Sequence, residues 1–135
     1  MFQTIIITDD SKTARMITKR CLEIAGFQKS SFIEATDGEE ALQLAKDHPV
    51  DLMVIDLNMP KMDGSSLLKR LKSSPRLNHI PVLVISSLIS EAKEAELIEM
   101  GAFATLSKPI SPAGLLKILN SLTDSTEKSE QSTWG

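Results

Sequence analysis

Three stretches of this chain are apolar without a break: Ile5 to Ile7 within TIIIT, Leu52 to Ile55, and Val82 to Ile85. A strand with one face in water alternates apolar and polar residues, whereas an unbroken run fits a strand covered on both faces. Strands of that kind belong to a parallel sheet between two layers of helices, because a parallel neighbour is reached only through a crossover connection. The remaining sequence must therefore supply helices at regular intervals.

It does so. After the first run (4–8), residues 11–25 show helical spacing through Ala14, Ile17, Cys21 and Ile24, a stripe expected to face the core, and Gly26 is a natural stop. SFIEA (31–35) reads as a second strand. The segment 36–48 opens with Asp37 and Glu40 at capping-box spacing and is closed by Pro49. A third strand spans 50–56, and beyond the loop LNMPKMDG a helix over 65–74 turns Leu67, Leu68 and Leu71 inward. A fourth strand (80–86) precedes a helix over 90–100, with Ser90 as cap and Gly101 after it. FATLS (103–107) is a fifth strand. The last helix, 111–122, has Ser111 at the cap, Pro112 at its first position and a stripe of Leu115, Ile118, Leu119 and Leu122. Five β-α units with right-handed crossovers predict a flavodoxin-like (βα)5 three-layer sandwich, its parallel sheet in the order 2-1-3-4-5.

The 135 residues suffice for one domain with a substantial core, here 1–122, and 41% of them are hydrophobic. From Thr123 no apolar residue occurs before Trp134, so 123–135 reads as a flexible polar tail. A net charge of -3 lacks the positive excess of a protein that binds nucleic acid by bulk electrostatics. No stretch approaches the roughly 20 apolar residues of a membrane span. The N-terminus has neither the basic region nor the cleavage site of a signal peptide, and a cytoplasmic protein is expected. Cys21 is the single cysteine, which excludes an internal disulfide and reads as a small core residue. His48 and His79 stand at segment edges without matching partners and read as surface residues.

Function is expected beyond the carboxyl ends of the strands, where open α/β sheets bind ligands. Strand one ends in Asp9 and Asp10, strand three in Asp56, strand four in Ser86 and Ser87, and strand five in Ser107 and Lys108. Strand ends are often polar, which accounts for one aspartate or two. Three crowded carboxylates repel one another, and repulsion should raise at least one pKa. A hard divalent cation removes the conflict. Mg²⁺ takes one or two carboxylates together with waters and a phosphate oxygen, and Lys108 can balance the remaining charge or reach an anionic group.

Taken in order, TDDSKTAR, VIDLNMPKMDG, VISS and LSKPI resemble the receiver domain of two-component response regulators, most closely its single-domain, CheY-like members. The resemblance covers roughly residues 3–122. It implies that Asp56 accepts a phosphoryl group from a sensor histidine kinase or a phosphotransfer protein. Asp10 and Asp56 would be direct Mg²⁺ ligands, Asp9 would act through a coordinated water, and the backbone carbonyl of Asn58 would add an oxygen. Ser86 matches the hydroxyl that turns toward the phosphoryl group, and Lys108 matches the lysine that pairs with it, with a cis Lys108-Pro109 bond. Such a protein is a switch that assists its own phosphorylation and dephosphorylation, not a conventional enzyme. Its target is a downstream protein met through the fourth helix, fifth strand and fifth helix, without direct DNA binding.

One position departs from the pattern. Many receivers carry an aromatic residue where this chain has Thr105, and the chain contains no tyrosine. Output is then expected to rest on backbone shifts around 86–89 and on the helix that begins after Ser90. That helix is acidic, with Glu91, Glu94, Glu96 and Glu99 opposed by Lys93. A solvated face and a basic partner both fit. Two other classes fit less well. A Mg²⁺-dependent aspartyl-phosphate phosphohydrolase of haloacid-dehalogenase type needs a second acid two residues after its nucleophile, where Asn58 stands. An FMN carrier needs a phosphate-cradling loop where two aspartates would repel the phosphate.

Overall fold

The computed structural model describes residues 2–87 and 89–122. Strands β1 (Thr4–Thr8), β2 (Ser31–Ala35), β3 (Leu52–Asp56), β4 (Val82–Ser86) and β5 (Ala104–Ser107) form one sheet. It is parallel throughout, in the order β2-β1-β3-β4-β5, as the unbroken apolar runs predict. Helices α1 (Lys12–Leu22), α2 (Gly38–Asp47), α3 (Gly64–Ser73) and α4 (Glu91–Glu99) alternate with the strands, and α5 occupies 112–122. Strands β3 and β4 begin two residues later than the apolar pattern suggests. Residues 123–135, including Trp134, lie outside the described residues.

Each helix starts on a short polar cap. Ser11, Asp37, Asp63 and Ser90 accept a hydrogen bond from the backbone N–H three residues on, which satisfies an otherwise orphaned donor. The sheet separates two cores. Ile6, Met53, Ile55, Val82 and Val84 pack against α2, α3 and α4. Ile5, Ile7, Leu52, Val54, Leu83 and Ile85 pack against α1 and α5. Leu67, Leu68 and Leu71 are fully buried, as are Leu115 and Leu119. Helix α4 is held by less: Leu97 is the one residue it buries.

The phase of α1 differs from the expectation. Ile17 and Ile24 face solvent, and the buried residues are Arg15, Thr18, Cys21 and Leu22. The helix is turned so that Arg15 points inward, where its charge finds partners. Cys21 is buried as expected, and burial pushes its thiol pKa up. The C-terminal end of α1 widens through Glu23–Phe27 and is broken by Gly26 at φ +113, a left-handed conformation suited to glycine. His48 and His79 are exposed. No described helix is long and apolar enough to cross a membrane.

Candidate functional site

Strand register assembles the polar residues at one edge. Thr8 pairs with Ile55, so the next residues, Asp9 and Asp56, leave the sheet side by side. Ser86 pairs with Ser107, and the ladder continues as Lys108 donates its N–H to the Ser86 carbonyl at 2.7 Å. The Lys108-Pro109 peptide bond is cis. Carboxylate oxygens of Asp9, Asp10 and Asp56 all lie within 4.8 Å of one another. Lys108 Nζ stands 3.4 Å from Asp9 Oδ2 and 3.5 Å from Asp56 Oδ1. The three carboxylates and the lysine expected from sequence therefore meet in one place.

The two adjacent aspartates differ in how they are held. Asp9 is buried and fixed on every side. Its N–H donates to the Ala35 carbonyl, its own carbonyl accepts from Arg15 Nη1 at 2.7 Å, and Oδ1 accepts from the Ser11 N–H at 2.9 Å. Arg15 is anchored in turn by donating from Nε to Glu34 Oε1 at 2.9 Å. Asp10 is exposed, and no hydrogen bond or ion pair among the described residues engages its side chain. Asp56 is buried, and its pKa is raised. Burial contributes most, the charge of Asp9 adds to it, and Lys108 and the Asn58 N–H oppose it. Ser86 is almost fully buried, and its Oγ accepts a hydrogen bond from Asn58 Nδ2 at 3.2 Å.

This donor set fits a hard divalent cation. It consists of oxygens with a net negative charge, it includes the disengaged carboxylate of Asp10, and it has no sulfur or imidazole to favour a softer ion. Without the cation the arrangement costs stability. Because the folded-state pKa of Asp56 is raised, the native state is penalised as pH climbs from the ordinary carboxylate range through that raised value. Asp56→Asn is therefore expected to melt at a higher temperature than the wild-type chain at neutral pH in a chelated buffer. The difference should shrink as pH falls through the carboxylate range, and added Mg²⁺ should stabilise the wild type more than the variant. Thermal melts across pH check this, and a variant no more stable than wild type at neutral pH contradicts it.

Sequence reasoning did not find Arg15 or the Asn58 amide. A charged residue on a helix ordinarily reads as solvated, and Glu34 lies 19 residues away on β2. Asn58 stands two residues after Asp56, but no local signal connects its side chain to Ser86, 28 residues on.

Comparison with known proteins gives a consistent result. The sequence model of the response regulator receiver domain matches residues 5–120. The chain is 38% identical over 121 residues to chemotaxis protein CheY-3 of Vibrio cholerae, covering 87% of this chain and 89% of that protein. It is 39% identical over 104 residues to a gliding motility regulatory protein of Myxococcus xanthus, covering 77% of this chain and 13% of that much longer protein. Among solved structures, a chain of the CheX-CheY-BeF3-Mg2+ complex from Borrelia burgdorferi superposes with a TM-score of 0.80 at 28% identity, covering 89% of this chain and 88% of that one.

Proposed function

The chain belongs to the response regulator receiver domain family, and from that premise we propose that it accepts a phosphoryl group on Asp56 and changes its protein contacts in response. The observation that carries the reading is the convergence of Asp9, Asp10 and Asp56 within 4.8 Å, with Lys108 between two of them. Asp10 and Asp56 would hold Mg²⁺, with Asp9 acting through a water and the Asn58 carbonyl as a further oxygen. Bound there, the ion supplies positive charge that offsets repulsion between a carboxylate and an incoming phosphoryl group.

The donor is a phosphohistidine on a sensor kinase or a phosphotransfer protein. An oxygen of Asp56 forms the new bond to phosphorus, the P–N bond breaks, and the imidazole leaves with its electron pair. Lys108, already beside the acceptor, pairs with a phosphoryl oxygen and balances charge in the in-line transition state. Asp9 needs no rearrangement, since Ser11, Arg15 and Lys108 hold it in place. The Ser86 hydroxyl, now accepting from Asn58, turns to donate to the phosphoryl group. Ile17 of α1 is 52% exposed, and Met16 beside it in sequence and Ile24 just past the helix are each 59% exposed. Ile17 lines an apolar cleft with Ala14, Pro109 and Ile110 that extends to Lys108. Exposed apolar area of this kind marks an interaction surface, here suited to the donor protein.

The receiver domain comprises 1–122. Output runs through α4, β5 and α5 and, with Thr105 in place of an aromatic, through displacement of the backbone after Ser86 and of α4. The test is incubation with a small phosphodonor and Mg²⁺ followed by intact mass. Addition of one phosphoryl group, lost with a chelator and absent in Asp56→Asn, is the expected result. No uptake from a phosphodonor or from any phosphohistidine protein overturns the reading, and turnover of many equivalents of a phosphoester would identify a hydrolase.

A further inference from the structure

Helix α4 buries Leu97 alone, whereas α3 buries Gly64, Leu67, Leu68 and Leu71. Its outward residues Glu91, Glu94, Ala95, Ile98 and Glu99 recur at spacings of three and four, which places them on one face, and together they line one shallow cleft. Ile98 is 44% exposed within it.

A solvated helix accounts for part of this composition. Glu91 and Glu94 lie in the first turn, where the helix dipole favours anions. Glu96 has Lys93 at 3.5 Å. The rest is unexplained by helix stability. Glu99 closes the helix at the end where the dipole favours cations, and no basic residue accompanies it. Glu91 with Glu94, and Glu96 with Glu99, are like-charge pairs three residues apart, an unfavourable arrangement. Glu91, Glu94 and Glu99 form no ion pair among the described residues. A face that repels itself around an isoleucine left in water complements a surface with cations around an apolar side chain.

We propose that this face of α4 binds a basic amphipathic segment of a partner protein. Lysine or arginine side chains meet Glu91, Glu94 and Glu99, and an apolar side chain covers Ala95 and Ile98. The proposal rests on the reading of α4 as part of the output surface and names the chemistry that surface recognises. The chain's own residues 123–135 do not supply the occupant, because Asp124, Glu127 and Glu130 outnumber Lys128 there. A second copy presenting the same helix would bring like charge.

The probe is a labelled helix-forming peptide with leucines along one stripe flanked by lysines, together with its glutamate-for-lysine counterpart. Both are titrated into the full ¹⁵N-labelled chain. The lysine peptide is expected to bind with amide shifts centred on 91–99, more weakly as salt rises. Glu94→Lys combined with Glu99→Lys should weaken binding roughly tenfold or more at low salt, and Ile98→Ser several-fold through lost apolar contact. These side chains are exposed, and in the double variant the dipole term lost at position 94 opposes the one gained at position 99, so the variants should fold and melt near the wild type. Equal binding of the glutamate counterpart, unchanged affinity in the variants, or shifts centred on another face overturns the proposal. So does sedimentation showing self-association through this helix. Phosphoryl uptake is measured on the same samples: uptake without peptide binding overturns this proposal alone, and peptide binding without uptake overturns the phospho-acceptor reading alone.

Discussion

Replacing Lys108 with alanine is expected to move two properties of the acidic cluster in opposite directions: tighter binding of divalent cations and slower phosphoryl uptake. The lysine ammonium lies within 3.5 Å of both Asp9 and Asp56. It therefore competes with any cation for the same negative field. Unit charges about 4 Å apart interact by about 4 kcal/mol at an effective dielectric of 20, and partial exposure of the lysine leaves only part of that. A tightening of roughly tenfold follows. In the proposed transfer step the same charge would face the incoming phosphoryl group, and removing one preorganised donor of this kind costs roughly 100-fold or more in rate. Titration calorimetry with MgCl₂ and an intact-mass time course with a small phosphodonor read the two effects separately. Weaker cation binding, or uptake at the wild-type rate, contradicts this account of Lys108.

The second large effect is expected from a glycine. Gly64 opens α3 directly behind the end of β3, and its N–H donates to the Leu57 carbonyl at 2.8 Å. A Cβ at this position would lie 2.8 Å from both the Asp56 carbonyl oxygen and Leu57 Cα. These are backbone atoms at the end of a central strand, so β3 has to move. Gly64→Ala should cost about 1–3 kcal/mol and slow phosphoryl uptake by up to roughly 100-fold, because small displacements of a reacting group are costly. Gly38→Ala is the matched control. Its Cβ would meet Met62 first, with Sδ at 2.6 Å and Cβ and Cγ at 3.0 Å. The flexible thioether turns aside and the loop carrying Met62 gives by a few tenths of an ångström, with no strand backbone among the nearest atoms. That variant should keep its uptake, and alanine also suits a helix better than glycine. Equal losses in both variants would remove the close approach at Gly64 as the cause.

The fold was legible because its determinants are local. Unbroken runs such as LMVI and VLVI announce strands buried on both faces, and Asp37, Ser90 and Ser111 mark where helices begin. The cluster was legible for a topological reason: once the strands are parallel, their carboxyl ends share an edge, and Asp9, Asp10, Asp56 and Lys108 must gather there. What escaped depends on rotation and on distant partners. Helix α1 has two candidate inward stripes. Ala14, Ile17, Cys21 and Ile24 is the more apolar, but the helix buries Arg15, Thr18, Cys21 and Leu22 because Glu34 and the Asp9 carbonyl satisfy the guanidinium. A charge that finds its partners only after folding looks like a surface charge before it.

The one residue that α4 buries, Leu97, also bears on the energy of the proposed signal. Burying one leucine side chain is worth about 1.5–3 kcal/mol, and a hydrogen bond to a charged group about 1.5–3 kcal/mol. The turning of one hydroxyl, as proposed for Ser86, is therefore comparable in size to what Leu97 contributes in holding α4 in place. Helix α3, fastened by three fully buried leucines, would need several times as much. A ligand shifts an equilibrium only by its differential affinity for the two states, so a one-bond message can be heard only by an element whose states lie a few kcal/mol apart. For the output proposed above, that element would be the helix with one leucine underneath it.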